Sequence, residues 1–413
     1  MRWTLAAFLV AFLFSTTAGA GENWPAFRGK DGTGTSDAKN LPTRFSDDRN
    51  VKWKIPIHGR GWSSPVVWGN QIWLTTATRN GKQMFAVCVD RDSGKIVHNI
   101  PLFANSKPRF CHPTNTYASP TCAIEPGQVY CHFGSYGTAC VSTKTGKILW
   151  TRRDFVSDDF RGPASSPVIH NQLLFLTFDG VDFQFVVAIN KMTGKNVWKM
   201  DRDIDYGTDN GDAKKAYGTP VVINAGGREQ LISPAAMATI AYDPANGNEI
   251  WRVRHGGMNV AARPLFGHGL LYISAGSGNR HLIAVKPTGK GNITKSHIQW
   301  STGKAVPRRS CQLLIGNLYF MMNDKGVASC LNAKTGKRHW QKRIGGKFWA
   351  SPVYGDGKIY CFSDDGRIPV IRASDKYELL ATNKLETGFN ATAAIVGRAL
   401  ILRTKKHLYR IEK

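Results

Sequence analysis

Basic residues, several of them beside aromatic residues, recur in six short segments, a combination suited to binding anions. The segments are HGRGW (58–62), PRFCHPTNTY (108–117), DFRGP (159–163), MNVAAR (258–263), PRR (307–309) and KFW (347–349). Their candidate ligand-binding residues are Arg60, Trp62, Arg109, Tyr117, Phe160, Arg161, Arg263, Arg308, Arg309, Lys347 and Trp349. Guanidinium groups pair with carboxylate, phosphate or sulfate through parallel hydrogen bonds. The alternative is that the arginines only add surface charge and the aromatics cap the core.

An aspartate-rich insertion, DRDIDYGTDNGDAKKAYGTP (201–220), is a second candidate site. Its candidate metal ligands are Asp203, Asp205, Asp209 and Asp212. Carboxylates that alternate with Gly and Asn are typical of calcium loops. The spacing departs from an EF-hand because Gly207 comes one place late and no Glu closes the loop. We therefore favour solvated carboxylates paired with Lys214 and Lys215, and keep calcium as the alternative.

The eight cysteines include no adjacent pair, no CxxC and no CxxCH haem attachment sequence. Aligning the repeats described below puts Cys88, Cys140, Ala188, Ala241, Ala284 and Cys330 at one position. Because Cys alternates with Ala there, it is expected to act as a small buried apolar residue. Cys122, Cys131 and Cys140 are expected on one face of adjacent strands. Buried thiols are favoured over a disulfide among them.

One seven-residue pattern keeps returning: KTGKILW (144–150), MTGKNVW (192–198) and KTGKRHW (334–340). Glycine can adopt the left-handed backbone that a tight hairpin requires. The turn glycines are Gly94, Gly146, Gly194, Gly247 and Gly336, and the recurring tryptophans are Trp53, Trp150, Trp198, Trp251, Trp300 and Trp340. The pattern therefore predicts a hairpin in each unit, followed by a large apolar side chain that packs between neighbouring units.

Small residues followed by Pro mark the first strand of a unit, as in SSPVV (63–67), ASPTC (118–122), SSPVI (165–169), GTPVV (218–222) and ASPVY (350–354). Weaker copies begin at 262 and 310. This gives seven full units and an incomplete eighth that lacks an outer strand, which NVKWKIP (50–56) can supply. The sequence thus predicts an all-β fold, a single eight-bladed propeller over residues 50–413, closed by an N-terminal strand. Residues 21–49 are expected as an extended lead-in on the surface.

The repeat AxDxxTGKxxW with eightfold closure resembles the pyrroloquinoline quinone (PQQ) type β-propeller family. That family includes quinoprotein alcohol dehydrogenases and the non-enzymatic BamB-like scaffolds. The resemblance extends over residues 23–413, with phrases such as NWPAFRG, GRGWSSPVV and KKHLYRIE. For the dehydrogenases it implies a quinone clamped by adjacent cysteines, stacked on a Trp and set beside calcium and a catalytic Asp. This chain lacks the cysteine pair, so no catalytic residue is assigned.

The N-terminus reads as an export signal: Arg2 precedes an apolar run from Leu5 to Phe14, and Ala18 to Ala20 form a cleavage pattern. We expect residues 1–20 to be removed and the protein to be periplasmic or secreted, without a transmembrane segment. The formal net charge is +26, which attracts polyanions. No nucleic-acid-binding motif accompanies that charge, so no specific nucleic acid is expected.

Three functions remain open from the sequence. The favoured one is an exported, monomeric, non-enzymatic propeller that binds a partner protein or acidic polymer on a basic central face. The first alternative is a PQQ-dependent dehydrogenase with a divergent site, and the second is a calcium-stabilised carbohydrate-binding module. PQQ and calcium are thus the cofactors left open, and neither is assigned.

Overall fold

Short strands joined by tight turns make up nearly all regular structure in the computed structural model, which describes residues 23–278 and 281–413. The strands form eight antiparallel sheets that follow one another along the chain, and each sheet is one blade of a propeller. The predicted eight-bladed all-β fold is therefore confirmed. The predicted signal peptide lies outside the described residues.

Within each blade the strands run from the axis outward. Blade 1 contains Val66–Trp68, Gln71–Ala77, Gln83–Asp90 and Ile96–Ala104, and blade 2 contains Ala123–Glu125, Gln128–His132, Thr138–Ser142 and Ile148–Arg152. Blade 3 contains Val168–His170, Leu173–Asp179, Gln184–Asn190 and Asn196–Asp201, and blade 4 contains Val221–Ala225, Arg228–Pro234, Ala238–Tyr242 and Glu249–Arg254. Blade 5 contains Leu265–Gly267, Leu270–Ser274, Leu282–Val285 and Ile298–Thr302, and blade 6 contains Leu313–Ile315, Leu318–Met322, Val327–Asn332 and Arg338–Arg343.

Blade 7 contains Val353–Gly355, Lys358–Tyr360, Arg367–Arg372 and Leu379–Lys384. Blade 8 contains Ala394–Val396, Ala399–Arg403, His407–Ile411 and, outermost, Val51–Pro56. A short strand, Gly291–Asn292, adds in parallel to the outer edge of blade 4, and a 3-10 helix covers Gly211–Lys214. No helix among these described residues is long and apolar enough to cross a membrane.

The N-terminal strand closes the ring, as the sequence predicts. Lys54 pairs with Tyr409 and Ile55 with Leu408, so Val51–Pro56 completes the last blade in antiparallel register. The inner strands of blades 8 and 1 also contact each other. A propeller closed in this way leaves no unpaired edge between its first and last blades.

The recurring Trp and Gly meet across the joint between consecutive blades. A Cβ added to Gly194 would lie 2.9 Å from the ring of Trp150 of the preceding blade, and the Trp150 indole donates a hydrogen bond to the carbonyl of Lys191 at 2.9 Å. The same packing joins Gly94 to Trp53, Gly247 to Trp198 and Gly336 to Trp300, whereas Gly146 packs on His98. Glycine is therefore required at this position for two reasons: the backbone φ is positive, and the ring approaches too closely for a side chain.

The lead-in segment, residues 23–49, has exposed residues such as Lys30, Asp37 and Lys39, but its apolar side chains are buried against the inner strands. Trp24 pairs with Val67 of the inner strand of blade 1, and Ser36 donates to the carbonyl of Tyr354 in blade 7. Trp24, Leu41 and Phe45 are buried. The segment crosses one end of the axial channel because its apolar side chains and backbone amides find partners on the inner strands.

The cysteine register also differs from expectation. Cys140 pairs with Tyr130 and with Trp150, so it does not face Cys131, which pairs with Ala139. A shift of one residue in register turns a side chain to the other face of the sheet. Cys122 and Cys131 do lie together, with their sulfurs 3.5 Å apart, and the cysteines are free thiols in the described structure.

Candidate functional site

A cavity of about 420 Å³ lies on the propeller axis, where the loops before the inner strands converge. Its rim carries Trp62, Arg161, Arg308, Arg309 and Trp349. Its walls include Asn115, Tyr217, Asn259 and Asn390, and Phe27 of the lead-in segment reaches it. None of these lining residues is an Asp or a Glu. The volume lies within the range of pockets that hold small molecules.

The floor of the cavity is a ring of hydroxyl groups, one from each of six blades. They belong to Ser64, Thr121, Ser166, Thr219, Ser351 and Thr392, and all six line the cavity. We call this set the hydroxyl ring. Each residue stands two places before the first residue of its inner strand. The same position in successive repeats therefore places these residues in a circle around the axis.

Hydrogen bonds connect the hydroxyl ring from blade to blade. In five places the backbone amide of one member donates to the side-chain oxygen of the next member, at 3.0 to 3.1 Å. The pairs are Ser64 to Thr121, Thr121 to Ser166, Ser166 to Thr219, Ser351 to Thr392 and Thr392 to Ser64. Blades 5 and 6 extend this series of hydrogen bonds. The Arg263 amide donates to the Cys311 sulfur at 3.2 Å, and the Cys311 amide donates to the Ser351 hydroxyl oxygen at 2.9 Å. The circle is interrupted between Thr219 and Arg263, since a guanidinium offers no acceptor.

Two buried arginines lie at and below the floor. Arg28 is fully buried and donates to the carbonyls of Pro352 and Gln312 at 3.0 and 2.6 Å. Arg263 is 6% exposed and donates to the carbonyl of Phe27 at 3.0 Å. Gly32 lies so close that an added Cβ would overlap Arg263. The predicted candidate Arg263 is thus at the axis, turned away from the mouth towards the lead-in segment.

The rim arginines are only partly neutralised. Arg309 pairs with Asp324 at 3.1 Å, and its guanidinium lies 4.4 Å from the ring centroid of Trp349. The backbone amide of Arg308 donates to the same carboxylate at 2.7 Å. Arg161 lies 3.7 Å from Asp212. Their side chains are about one-third exposed, which leaves them able to pair with a ligand.

The other predicted side chains do not line the cavity. Arg60 stacks on Trp62 at 5.2 Å and donates to the carbonyl of Pro113, in a separate small pocket with Tyr117. Arg109 donates to the carbonyl of Ser157 at 2.8 Å, and Phe160 is exposed and packs near Phe110. Lys347 is exposed and does not line the cavity. The structure therefore divides the predicted ring into an axial group and a peripheral group.

Several lining residues, among them Asn259 and Asn390, were not identified from the sequence, whereas Trp62 was. Three atoms that face buried surroundings, the Trp62 indole nitrogen and the side-chain oxygens of Asn259 and Asn390, have no hydrogen-bond partner within the part of the chain described. Isolated asparagines carry no motif that could identify them. Four of the six hydroxyl-ring residues did carry a signal, a Ser-Pro or Thr-Pro pair, but that pair indicated only the start of a strand.

Asp159 lies just behind the wall of the cavity. Burial raises its pKa to about 7, although the Gly162 amide, which donates to its carboxylate at 3.0 Å, acts in the opposite direction. Its backbone carbonyl accepts a hydrogen bond from the Tyr217 hydroxyl at 3.1 Å, and Tyr217 lines the cavity. The carboxyl group can therefore change charge near neutral pH beside a wall residue.

The aspartates of the 201–220 insertion are not gathered into a metal site. Asp212 pairs with Lys215, and Asp205 accepts from the Gly207 amide at 2.9 Å. Across residues 23–278 and 281–413, no three His, Cys, Asp or Glu side chains are grouped as metal ligands. Asp203 and Asp209 take no part in an acidic cluster that could bind calcium.

The cavity fits only part of what the quinone resemblance implies. Trp62 and Trp349 provide flat rings for stacking, and the rim arginines could pair with acidic groups. A calcium ion needs several oxygen ligands, usually with carboxylates among them, and the lining provides none of those carboxylates. The residues present therefore do not fit a calcium-bound quinone, and no reaction step is derived through one.

Comparisons with known proteins identify the class. The PQQ_2 family model, described as outer membrane protein assembly factor BamB, matches residues 43–199, 119–324 and 299–402. Because these matches extend over most of the chain, the protein belongs to this family of PQQ-type propellers. The resemblance to PQQ-type propellers that the sequence indicates is therefore confirmed.

Two solved structures illustrate the likeness in fold. BamB from Moraxella catarrhalis aligns with a TM-score of 0.63 and 12% identity, covering 88% of this chain and 97% of its own. Quinohemoprotein alcohol dehydrogenase from Comamonas testosteroni aligns with a TM-score of 0.68 and 10% identity, covering 96% of this chain and 81% of its own. Both likenesses concern the fold.

A curated relative, quinoprotein ethanol dehydrogenase of Pseudomonas aeruginosa, is 30% identical over 139 residues. The match covers 31% of this chain and 21% of the relative. This chain thus spans about a fifth of the length of that curated relative.

Proposed function

We propose that this protein is an exported, non-enzymatic propeller whose axial cavity binds an anionic ligand or an acidic segment of a partner protein. The observation that carries the proposal is the rim of Arg161, Arg308 and Arg309 around a cavity without lining carboxylates. Membership of a family described as BamB supports a scaffold role, and the export signal at residues 1–20 supports a periplasmic or secreted location.

The charge of the whole protein requires a matched control in any test. With a net charge of +26, nonspecific attraction of anions is expected everywhere on the surface. We therefore compare the triple rim variant Arg161→Gln, Arg308→Gln and Arg309→Gln with Arg338→Gln, Lys342→Gln and Arg343→Gln. The second set removes the same charge from the exposed outer strand of blade 6.

The experiment is calorimetric titration of the full mature chain with phosphate and with succinate at fixed ionic strength. The rim variant is expected to lose more than about tenfold in affinity, because charge-assisted hydrogen bonds contribute about 1.5–3 kcal/mol each. The blade 6 variant should stay within about twofold of the parent. Equal losses in both variants, or no binding by the parent, would refute the proposal.

A quinone-dependent dehydrogenase is the second candidate, and the partial match to quinoprotein ethanol dehydrogenase favours it. Titration with PQQ, with and without calcium, tests it by the melting temperature. A saturable rise that the rim variant weakens would support this candidate and justify dye-linked dehydrogenase assays. An unchanged melting temperature at all concentrations would remove it.

A further inference from the structure

The hydrogen-bond pattern of the hydroxyl ring fixes where its protons can point. The oxygens of Ser64, Thr121, Ser166, Thr219, Ser351 and Thr392 each accept from a backbone amide of a neighbouring blade. In the described part of the chain, none of these hydroxyls donates a hydrogen bond to a protein acceptor. Since all six line the cavity, their protons are available to an acceptor on the axis.

Positive charge lies at and beneath these donors. Arg28 and Arg263 form no ion pair with a described carboxylate, and the Nε atom of each is buried without a partner. Burial lowers the pKa of Arg263 to about 10, which still leaves it protonated at neutral pH. The Asp31 carboxylate acts on Arg263 from beyond ion-pair distance and offsets only part of the cost of burial, so an anion on the floor would further stabilise these side chains.

The rim is a separate anion-binding zone of the same cavity. It consists of guanidinium groups, whereas the floor offers neutral O–H donors above buried charge. We propose that the cavity binds one small ligand with an anionic group at each end, one on Arg308 and Arg309 and the other on the hydroxyl ring. The ligand class is a dicarboxylate, or a carboxylate that also carries a phosphate or sulfate. This inference rests on the proposed function and adds the class of ligand.

The test compares acids with one and two charged ends. Butyrate, succinate and adipate are titrated calorimetrically into the full mature chain at matched ionic strength. A dianion that reaches both zones is expected to bind at least about tenfold tighter than butyrate, because the second group adds its own charge-assisted hydrogen bonds. Equal affinities for butyrate and both diacids would overturn the inference.

Floor variants separate the two zones. Thr219→Val with Thr392→Val removes two hydroxyls on opposite blades while keeping the side-chain shape, and the Ser versions of both keep the hydroxyls. The Val pair should bring diacid affinity to within about threefold of that for butyrate and leave butyrate unchanged, while the Ser pair should resemble the parent. Thr177→Val is the control, since its buried hydroxyl bonds to Ser165 away from the cavity.

The possible outcomes distinguish the inference from the proposed function. Binding of butyrate without any gain for a diacid would refute the inference and leave the proposed function standing. Absence of binding for all three acids would refute both. If the Val pair fails to fold by circular dichroism, the parent's butyrate and diacid affinities still decide. A floor variant that weakens butyrate and diacid equally would also count against two separate zones.

Discussion

The outer joints and the axis are both built from repeated positions of the blades, but they use repetition in opposite ways. At four joints, Gly194 and its equivalents receive a Trp ring from the preceding blade, and the contact is nearly the same each time. At the axis, equivalent positions carry Ser64, Thr121, Arg263 and Cys311. A joint must satisfy a neighbour of fixed shape, whereas axial residues face a shared space and can diverge.

The junction of blades 4 and 5 departs from the pattern in both regions. Trp251 is fully buried, and its indole donates to Gln230 at 2.7 Å while the short strand Gly291–Asn292 covers the outer edge. At the axis, Arg263 of blade 5 interrupts the hydroxyl ring and contacts the lead-in segment.

The largest expected effect comes from opening the ring. Deleting residues 50–56 removes the outer strand of blade 8 and exposes the edge of His407–Ile411. We expect that calorimetry of the deletion protein will show no cooperative melting transition near the melting temperature of the parent. A deletion protein that melts like the parent would contradict closure by this strand.

Adding one methyl group at Gly194 should disrupt the joint between blades 2 and 3. Gly194→Ala places a methyl group 2.9 Å from the Trp150 ring at φ +69, and should destabilise the fold by about 2–4 kcal/mol in urea unfolding. Gly357→Ala is the matched control, because its φ is +70 and nothing lies within 4 Å. The control should cost only about 1 kcal/mol. Equal costs would mean that backbone strain, not packing on Trp, explains the glycine.

Asp159, which lies beside the axial cavity, gives the axis a dependence of stability on pH that can be measured. Its folded pKa of about 7 lies above that of an ordinary Asp, so the unfolded chain loses this proton at lower pH than the folded protein. The group therefore lowers stability as pH rises from about 4 to 7, and the loss is constant above that range.

Asp159→Asn should remove this component. The variant's free energy of unfolding, relative to the parent, should increase between pH 4.5 and pH 7.5 in urea titrations. Arg109, Lys215 and Asp158 also influence the carboxyl group, so measurements at low and high salt separate their contribution from burial. A stability difference that does not vary with pH would show that Asp159 ionises normally.

The smallest effect is expected from calcium. Because Asp212 pairs with Lys215 and no acidic cluster forms in the described ranges, adding calcium or EDTA should shift the melting temperature by less than about 1 °C. A saturable shift that Asp205→Asn abolishes would instead show that the 201–220 insertion binds the ion.

The sequence by itself determined the blades and their order. The hairpin glycines, the recurring Trp and the Pro-marked strands are local signals, and the missing strand of blade 8 could be found by counting. These features follow from backbone conformation and side-chain period, which act over a few residues.

Only the tertiary structure decided the site. It brought Ser64, Thr219 and Thr392 into one circle, placed Arg28 inside the channel and left Arg60 and Lys347 outside the cavity. It also turned Cys140 away from Cys131. These placements depend on register and on contacts between residues far apart in the chain, and no local pattern encodes which side chains will share a space on the axis.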